Sequence, residues 1–439
     1  MIYTKIKNMR SNSIIHFLFL NLLFMQMGFS QNPCTSNFQK TIIEHATIHI
    51  GNGELIEDGQ LYMDQGKIIY VGKNAGSIPS EVIRIDAKGA HLYPGFIALN
   101  TEVGLEEISQ VKATIDKSEL GSMNPNVRSL IAYNTDSKII PTLRSNGVLY
   151  AQSSPAGGII SGQSSVFKMD GWNWEDAVVT SDEGIWLTWP TINNQRGWWA
   201  EPERSNPNDK YKKETDAIVD YFMQAKAYHL GKDSSLLLSH LGYDAMRGLW
   251  TENKRLFIRV NEAKGMIQCV QLMESMGIKP VLVGATEAWK ITDFLREKKL
   301  SIILQKTHSL PGRTDEDIWQ PYKTPKILQD AGILFAISES GFWEQRNLGF
   351  QAGHTIGYGL TPEQALTSIT LNPAKILKLE NQLGSLEMGK NASLFMSKGD
   401  ALDMRTQHIT HAWIQGCPID LDDLHKQLYK KYSKKYGLN

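Results

Sequence analysis

The sequence predicts a mixed α/β protein in which a parallel-sheet domain is set inside a small β domain drawn from both ends of the chain. Three observations carry this expectation. Between residues 256 and 337, short apolar runs alternate with helical patterns at the spacing of βαβ units. Residues 41–93 hold strand-like runs punctuated by Gly and Asp, with no helical pattern between them. After Leu379 the same strand pattern returns.

The order of elements starts at the N-terminus. Lys5, Lys7 and Arg10 precede an apolar run from Ile14 to Met27, and Gly28-Phe29-Ser30 places small residues two apart. This layout predicts a secretory signal peptide over 1–30 and an exported protein, periplasmic or extracellular. The run is shorter than the ~20 apolar residues of a membrane span. No later stretch is long and apolar enough, so no span is expected after cleavage. Over 31–92, Thr47-Ile48-His49-Ile50, Gln60-Leu61-Tyr62-Met63, Lys67-Ile68-Ile69-Tyr70-Val71 and Val82-Ile83-Arg84-Ile85 read as strands. Asp58-Gly59 and Asp64-Gln65-Gly66 read as their turns.

Over 93–379, the runs at 256–260, 280–283, 301–304 and 333–337 read as strands, with helices over 266–276, 287–299 and 326–331. Thr361-Pro362-Glu363-Gln364 is a capping box with Pro at the first helical position, and Asn372-Pro373 opens a further helix. Over 380–420, the runs at 392–396 and 411–414 read as strands. The tail, 421–439, carries five lysines and reads as a surface helix.

Composition narrows the function classes. The 439 residues are 41% hydrophobic and 21% charged, which excludes disorder, collagen and coiled coil as the main class. Lys+Arg and Asp+Glu are both 46, so the basic excess expected of a nucleic-acid binder is absent. A small-molecule ligand or substrate is the expected partner, and homo-oligomerisation stays open. Three cysteines are too few for a disulfide scaffold. Export makes one bridge feasible: Cys34 and Cys417 could pair if both chain ends share a domain, whereas Cys269 sits in a helical pattern as a buried thiol. Trp172, Trp174, Trp186, Trp189, Trp198 and Trp199 crowd one segment, which reads either as an aromatic ligand platform or as packing. Ser154-Pro155-Ala156-Gly157-Gly158 and Ser161-Gly162-Gln163-Ser164 read as tight turns; they lack the Gly-Lys-Ser of a P-loop.

Four motifs in order resemble the amidohydrolase superfamily, notably its secreted imidazolonepropionase-like members. They are Gly66-Lys67-Ile68-Ile69-Tyr70-Val71-Gly72, then Ile85-Asp86-Ala87-Lys88-Gly89 leading to Pro94-Gly95-Phe96-Ile97, then Gly359-Leu360-Thr361-Pro362-Glu363-Gln364-Ala365-Leu366 with Thr370-Leu371-Asn372-Pro373-Ala374, and Gly384-Ser385-Leu386-Glu387-Met388-Gly389-Lys390. The resemblance implies a distorted (β/α)8 TIM-like barrel over 93–379, beside a small β-sandwich built from both chain ends. It implies an active site at the C-terminal ends of the barrel strands, one or two divalent metals, usually zinc, and hydrolysis of carbon–nitrogen bonds other than peptides.

The family's metal ligands do not carry over. Its His-x-His falls on Asn100 and Glu102, its fifth- and sixth-strand histidines on Arg259 and Gly284, and its catalytic aspartate near Glu339. None of His229, His240, His308 and His354 in the barrel region forms His-x-His, and His408 and His411 lie in the β domain. A fixed charge at Arg259 opposes a divalent ion by about 8 kcal/mol at ~4 Å and an effective dielectric of 20. The expectation is therefore a zinc-free site, with Glu102 and Glu339 the only metal donors if a metal binds. Asn100, Glu102, Arg259 and His308 are candidate ligand contacts; Glu339, His308 and Arg259 are candidate catalytic groups. Arg259 is expected to pair with Glu102 or Glu339, or to hold an anionic ligand. Two functions follow: a carbon–nitrogen hydrolase with an altered site, or a non-catalytic relative that binds a ligand in the same mouth.

Overall fold

Apolar residues alternate with polar ones along five early strands: β1 (Thr41–His49), β2 (Leu55–Asp64), β3 (Lys67–Gly72), β4 (Ile83–Asp86) and β5 (His91–Pro94). Eight more follow in the middle of the chain: β6 (Phe96–Thr101), β7 (Val148–Ser153), β8 (Ile160–Lys168), β9 (Val178–Thr188), β10 (Arg255–Val260), β11 (Pro280–Gly284), β12 (Ser301–Leu304) and β13 (Phe335–Ile337). The last are β14 (Leu394–Ser397), β15 (Ile409–Ile414) and β16 (Cys417–Pro418). These come from a computed structural model that describes residues 33–34, 38–76, 78–193, 207–231, 239–311, 313 and 315–438. Residues 1–30, where the sequence predicts a signal peptide, lie outside the described residues, as do Trp198 and Trp199.

Strands from both chain ends form one eight-stranded sheet in the order β16-β15-β14-β5-β1-β2-β3, with β4 also paired to β1. β4 and β5 share one edge of β1, at Thr41↔Ile83 and Thr47↔His91. One face buries a core of its own, including Ile43, Ile48, Leu61, Ile68, Leu92, Leu394 and Trp413. β14 pairs with β5 from Leu394↔Pro94 to Ser397↔His91, and this ladder unites the two ends.

The second sheet runs β13-β12-β11-β10-β9-β8-β7-β6. Its strands are buried on both faces, and the central ones read as near-continuous apolar runs, as parallel strands covered by helices do. The remaining gap is bridged by residues 368–369: Ile337 N donates to Ser368 O at 3.1 Å, and Ile97 N donates to Ile369 O at 2.9 Å. The result is a nearly closed eight-stranded barrel, as expected. Helices Ala263–Ser275, Gln320–Asp330, Pro362–Thr367 and Leu371–Leu377 pack around it. The capping box at Thr361 forms as its sequence implies.

Over 148–188 the structure adds three strands not named from the sequence, and β8 runs antiparallel to both neighbours. Six residues, 154–159, separate β7 from β8, too few for a crossover helix, so the chain must turn straight back. Gly157 and Gly158, at φ +85° and +65°, make that reversal. Ser161–Ser164 is accordingly part of strand β8 and not a turn. Trp186 is wholly buried, 4.8 Å from the Phe257 ring, and Trp189 is buried with its indole N–H donating to Tyr211 Oη. Those two tryptophans serve packing.

The C-terminal helix, Leu424–Tyr436, starts at Asp423, whose carboxylate caps Lys426 N and accepts from Ser145 Oγ. Among the described residues no helix is long and apolar enough to cross a membrane.

Cys34 and Cys417 are bridged, their Cα atoms 6.2 Å apart, and Cys269 is a buried free thiol. Cys34 N also donates to Asp170, which forms a buried ion pair with Arg144. The bridge closes a loop that spans almost the whole chain, so most of its effect lies in restricting the unfolded state. Cys417→Ser is expected to cost about 2–4 kcal/mol and lower the melting temperature, with no such drop for Cys269→Ala beyond its small cavity. Differential scanning calorimetry of the two variants checks this.

Candidate functional site

The C-terminal ends of the parallel strands surround a cavity of about 280 Å³. Its side-chain lining is Asn100 in β6 and Glu102 just past it, Thr188 at the end of β9, Arg259 in β10 and Asn261 just past it, and Gln305 after β12. Ala156, Gly157, Val283, Gly284, Ser340 and Gly341 complete the wall. In the ladder Arg259 sits beside Thr188 on one side and Val283 on the other, which fixes its place at the mouth.

Arg259 is held by several partial contacts. Nη2 donates to Pro155 O at 3.1 Å and Ser154 Oγ at 3.2 Å, while Nε and Nη2 both reach Asn100 Oδ1 at 3.4 Å and Nη1 reaches Ser161 Oγ at 3.4 Å. The guanidinium lies 4.3 Å over the Trp186 ring, which supports a cation from its face. Burial pushes its pKa down to about 10, against the pull of Glu102. The expected ion pair is not made: among the described residues no carboxylate lies within 4 Å of Arg259. Glu102 instead pairs with Lys117 at 2.8 Å, and Lys117 also takes Glu106 at 2.6 Å. A lysine in the segment that follows β6 has claimed the carboxylate first.

Asn100 stands at φ +54°, a left-handed conformation that asparagine tolerates better than most residues. A register break between Ala98 and Thr101 places it in a bulge that re-aims its side chain. Behind it runs a buried chain. Gln152 Oε1 accepts from Asn100 N at 3.3 Å, Gln152 Nε2 donates to Glu183 Oε1 at 2.9 Å, and Ser164 Oγ donates to the same oxygen at 2.5 Å. Glu183 is fully enclosed, and desolvation holds its carboxyl above the usual carboxylate range despite these donors and the nearby Arg255 and Lys254.

The sixth-strand position is closed by geometry. Gly284 has φ +88°, and a Cβ there would meet Asn261 Oδ1 at 2.5 Å and Gln305 Nε2 at 3.3 Å. Two carboxamides occupy the space an imidazole would need. Asn261 was discoverable in the sequence, since it lies two residues past Arg259 and so on the same strand face. Lys117 and Gln152 had no such signal.

Glu339 and His308 meet each other's neighbourhood but not the cavity. Gln351 Nε2 donates to Glu339 Oε2 at 2.9 Å, and Gln351 Oε1 accepts from His308 N at 2.9 Å. His308 Nδ1 lies 2.6 Å from Tyr322 Oη, and its ring is 5.0 Å from that of His354. Burial raises the Glu339 carboxyl above its usual range, with Lys306 opposing. Ser340 and Gly341, next to Glu339, reach the cavity wall in its place.

The donor set fits an organic ligand better than a divalent metal. Arg259 donates only, Asn100 offers a weak amide oxygen already turned to Arg259, and Gly284 offers nothing. Among the described residues no three His, Cys, Asp or Glu side chains gather as a metal group would require.

Comparison with known proteins supports the superfamily resemblance. Residues 345–420, which contain the last barrel helices and the return to the first sheet, match the family model described as "Amidohydrolase family". An amidohydrolase from Thermotoga maritima MSB8 is similar at 23% identity over 87% of this chain and 100% of its own, with a TM-score of 0.74. A Xaa-Pro dipeptidase with bound methionine is similar at 15% identity, over 87% of this chain and 100% of its own, TM-score 0.52. A zinc-bound adenosine deaminase from Xanthomonas campestris is similar at 14% identity, over 89% and 97%, TM-score 0.50. At these identities the structural likenesses establish the fold. A search of curated proteins finds no match.

Two outcomes are expected of substitutions here. Gly284→Ala meets both a left-handed backbone and the Asn261 amide, so it should lower stability by more than about 1 kcal/mol in urea titration. Glu183 keeps its proton in the native state at a pH where the unfolded chain has lost it. Its contribution is therefore complete below the ordinary carboxylate range and is lost as pH rises through the raised native pKa. Glu183→Gln should flatten that part of the stability–pH curve between acid and neutral pH. An unchanged curve would mean that Glu183 does not carry it.

Proposed function

We propose that the barrel mouth is a small-molecule binding site that works without zinc, and that the chain is an amidohydrolase-like binding protein. The observation that carries this reading is Arg259: a donor-only cation, seated on Trp186 and facing the cavity, at the strand position where the resembled family places an imidazole ligand. The amide-lined wall formed by Asn100, Asn261 and Gln305 supports it, since such groups orient a polar ligand without supplying metal donors. The bridge between Cys34 and Cys417 supports the expectation of export, because such bonds persist in oxidising compartments.

One observation favours a second reading, a hydrolase of carbon–nitrogen bonds with an altered site. A buried carboxyl, Glu339, stands just past the eighth barrel strand, and burial raises its pKa above the usual carboxylate range, the direction a general acid needs. Two neighbours are described as a dipeptidase and a deaminase, so the reaction class has precedent on this fold.

Elemental analysis of protein purified without chelator separates these cases. The binding reading expects far less than one zinc per chain and a melting temperature unmoved by EDTA. Stoichiometric zinc, lost together with stability on chelation, would refute it. Turnover of amide substrates by zinc-free protein, abolished in Glu339→Gln, would establish the hydrolase instead.

A further inference from the structure

The mouth presents weakly engaged donors and one unpartnered acceptor. Arg259 offers five N–H donors, yet Nη1 has only a long contact with Ser161 Oγ, and the contacts to Asn100 are equally long. A carboxylate accepts from such an edge at two points, with charge assistance. The complementary group is Asn261 Oδ1, which is buried and has no hydrogen-bond partner in the protein. It sits against Gly284 in the same cavity wall. An orphaned acceptor of this kind is costly unless a donor reaches it. Glu102 brings a second acceptor to the lining.

Local charge sets a further condition. Glu102 and Glu106 are balanced by Lys117 and Arg259, the first three in direct contact and the fourth a cavity wall away. A ligand with net charge would upset that balance in a partly desolvated site. A ligand that is neutral overall but separates its charges would not. The volume, about 280 Å³, holds a molecule of single amino-acid to dipeptide size.

Resting on the reading of the mouth as a metal-free binding site, we infer that its ligand is zwitterionic and of the amino-acid class. Its carboxylate lies against Arg259, and its ammonium donates toward Asn261 and Glu102. Arg259 supplies recognition of the anionic end, Asn261 reads the N–H donors, and the Gln305 amide borders both. No bond is made or broken in this step.

The test is isothermal titration calorimetry of the full chain with free L-alanine, L-leucine, L-glutamine and glycylglycine. Each is compared with its C-terminal amide, which lacks the anion, and its N-acetyl derivative, which lacks the cation. At least one zwitterion should bind, with both derivatives weaker by roughly tenfold or more, as loss of a charge-assisted hydrogen bond implies. Arg259→Gln should erase the preference for free acid over amide, while Asn261→Leu should weaken the free acid. Equal binding of acid and amide, an unaltered preference in Arg259→Gln, or no heat from any zwitterion would overturn the inference. If the variants fail to fold, the acid-to-amide comparison on the unaltered protein still decides it. Zinc found by elemental analysis would fail the underlying reading separately. A zinc-free protein that ignores these zwitterions while binding another small molecule would fail only the ligand class.

Discussion

The ladder between β5 and β14 is the constraint on which the rest of the molecule depends. It joins residues about three hundred positions apart, at Leu394↔Pro94 and three further pairs. One residue later Gly95 N donates to Ser393 O, and β6, the first barrel strand, begins at Phe96. The same contact packs Phe395 between Tyr93 and Phe96, with ring centroids 5.4 and 5.0 Å away. Position and direction of the barrel's first strand are thus set by a hydrogen-bonded clamp outside the barrel. A long closed loop adds little to the entropic cost of a short one, because that cost grows only logarithmically with length. The bridge from Cys34 to Cys417 secures the same closure covalently.

From that clamp the mouth follows in a few steps. The bulge in β6 turns Asn100 inward, and its amide oxygen meets a guanidinium delivered by β10. Arg259 can be there only because Trp186 provides a ring face beneath it and the β7–β8 turn provides Pro155 O and Ser154 Oγ beside it. That turn closes an antiparallel β7–β8 hairpin in place of a crossover helix, and so connectivity and site chemistry are linked here: the hairpin supplies the acceptors that hold the cation at the mouth.

Several expectations from sequence met a more complex arrangement. The strands at 256–260, 280–283, 301–304 and 333–337 correspond to β10–β13, because continuous apolar runs between helical patterns have few other readings. β7–β9 had no such signature: Gly162 and the buried polar residues Gln163, Ser164, Ser165 and Glu183 interrupt the apolar pattern, and Gln152 and Ser164 donate to one Glu183 oxygen inside the fold. Asn100, Glu102 and Arg259 line one cavity. His308 and Glu339 do not reach it, because Gln351 and Tyr322 hold them to one side.

By itself, the sequence determined the class of fold, the split of the first sheet between the chain ends, and the chemical types standing at the barrel strand ends. These are local properties: periodicity, turn residues and the spacing of a motif survive in one dimension. Only the tertiary structure decided the partners. Lys117 folds back onto Glu102 within the segment that follows β6, Asn261 fills the space above Gly284, and Arg259 rests on Trp186 rather than on a carboxylate. Each outcome is a competition among side chains for one buried position. It is settled by distances across the barrel, which no spacing along the chain encodes.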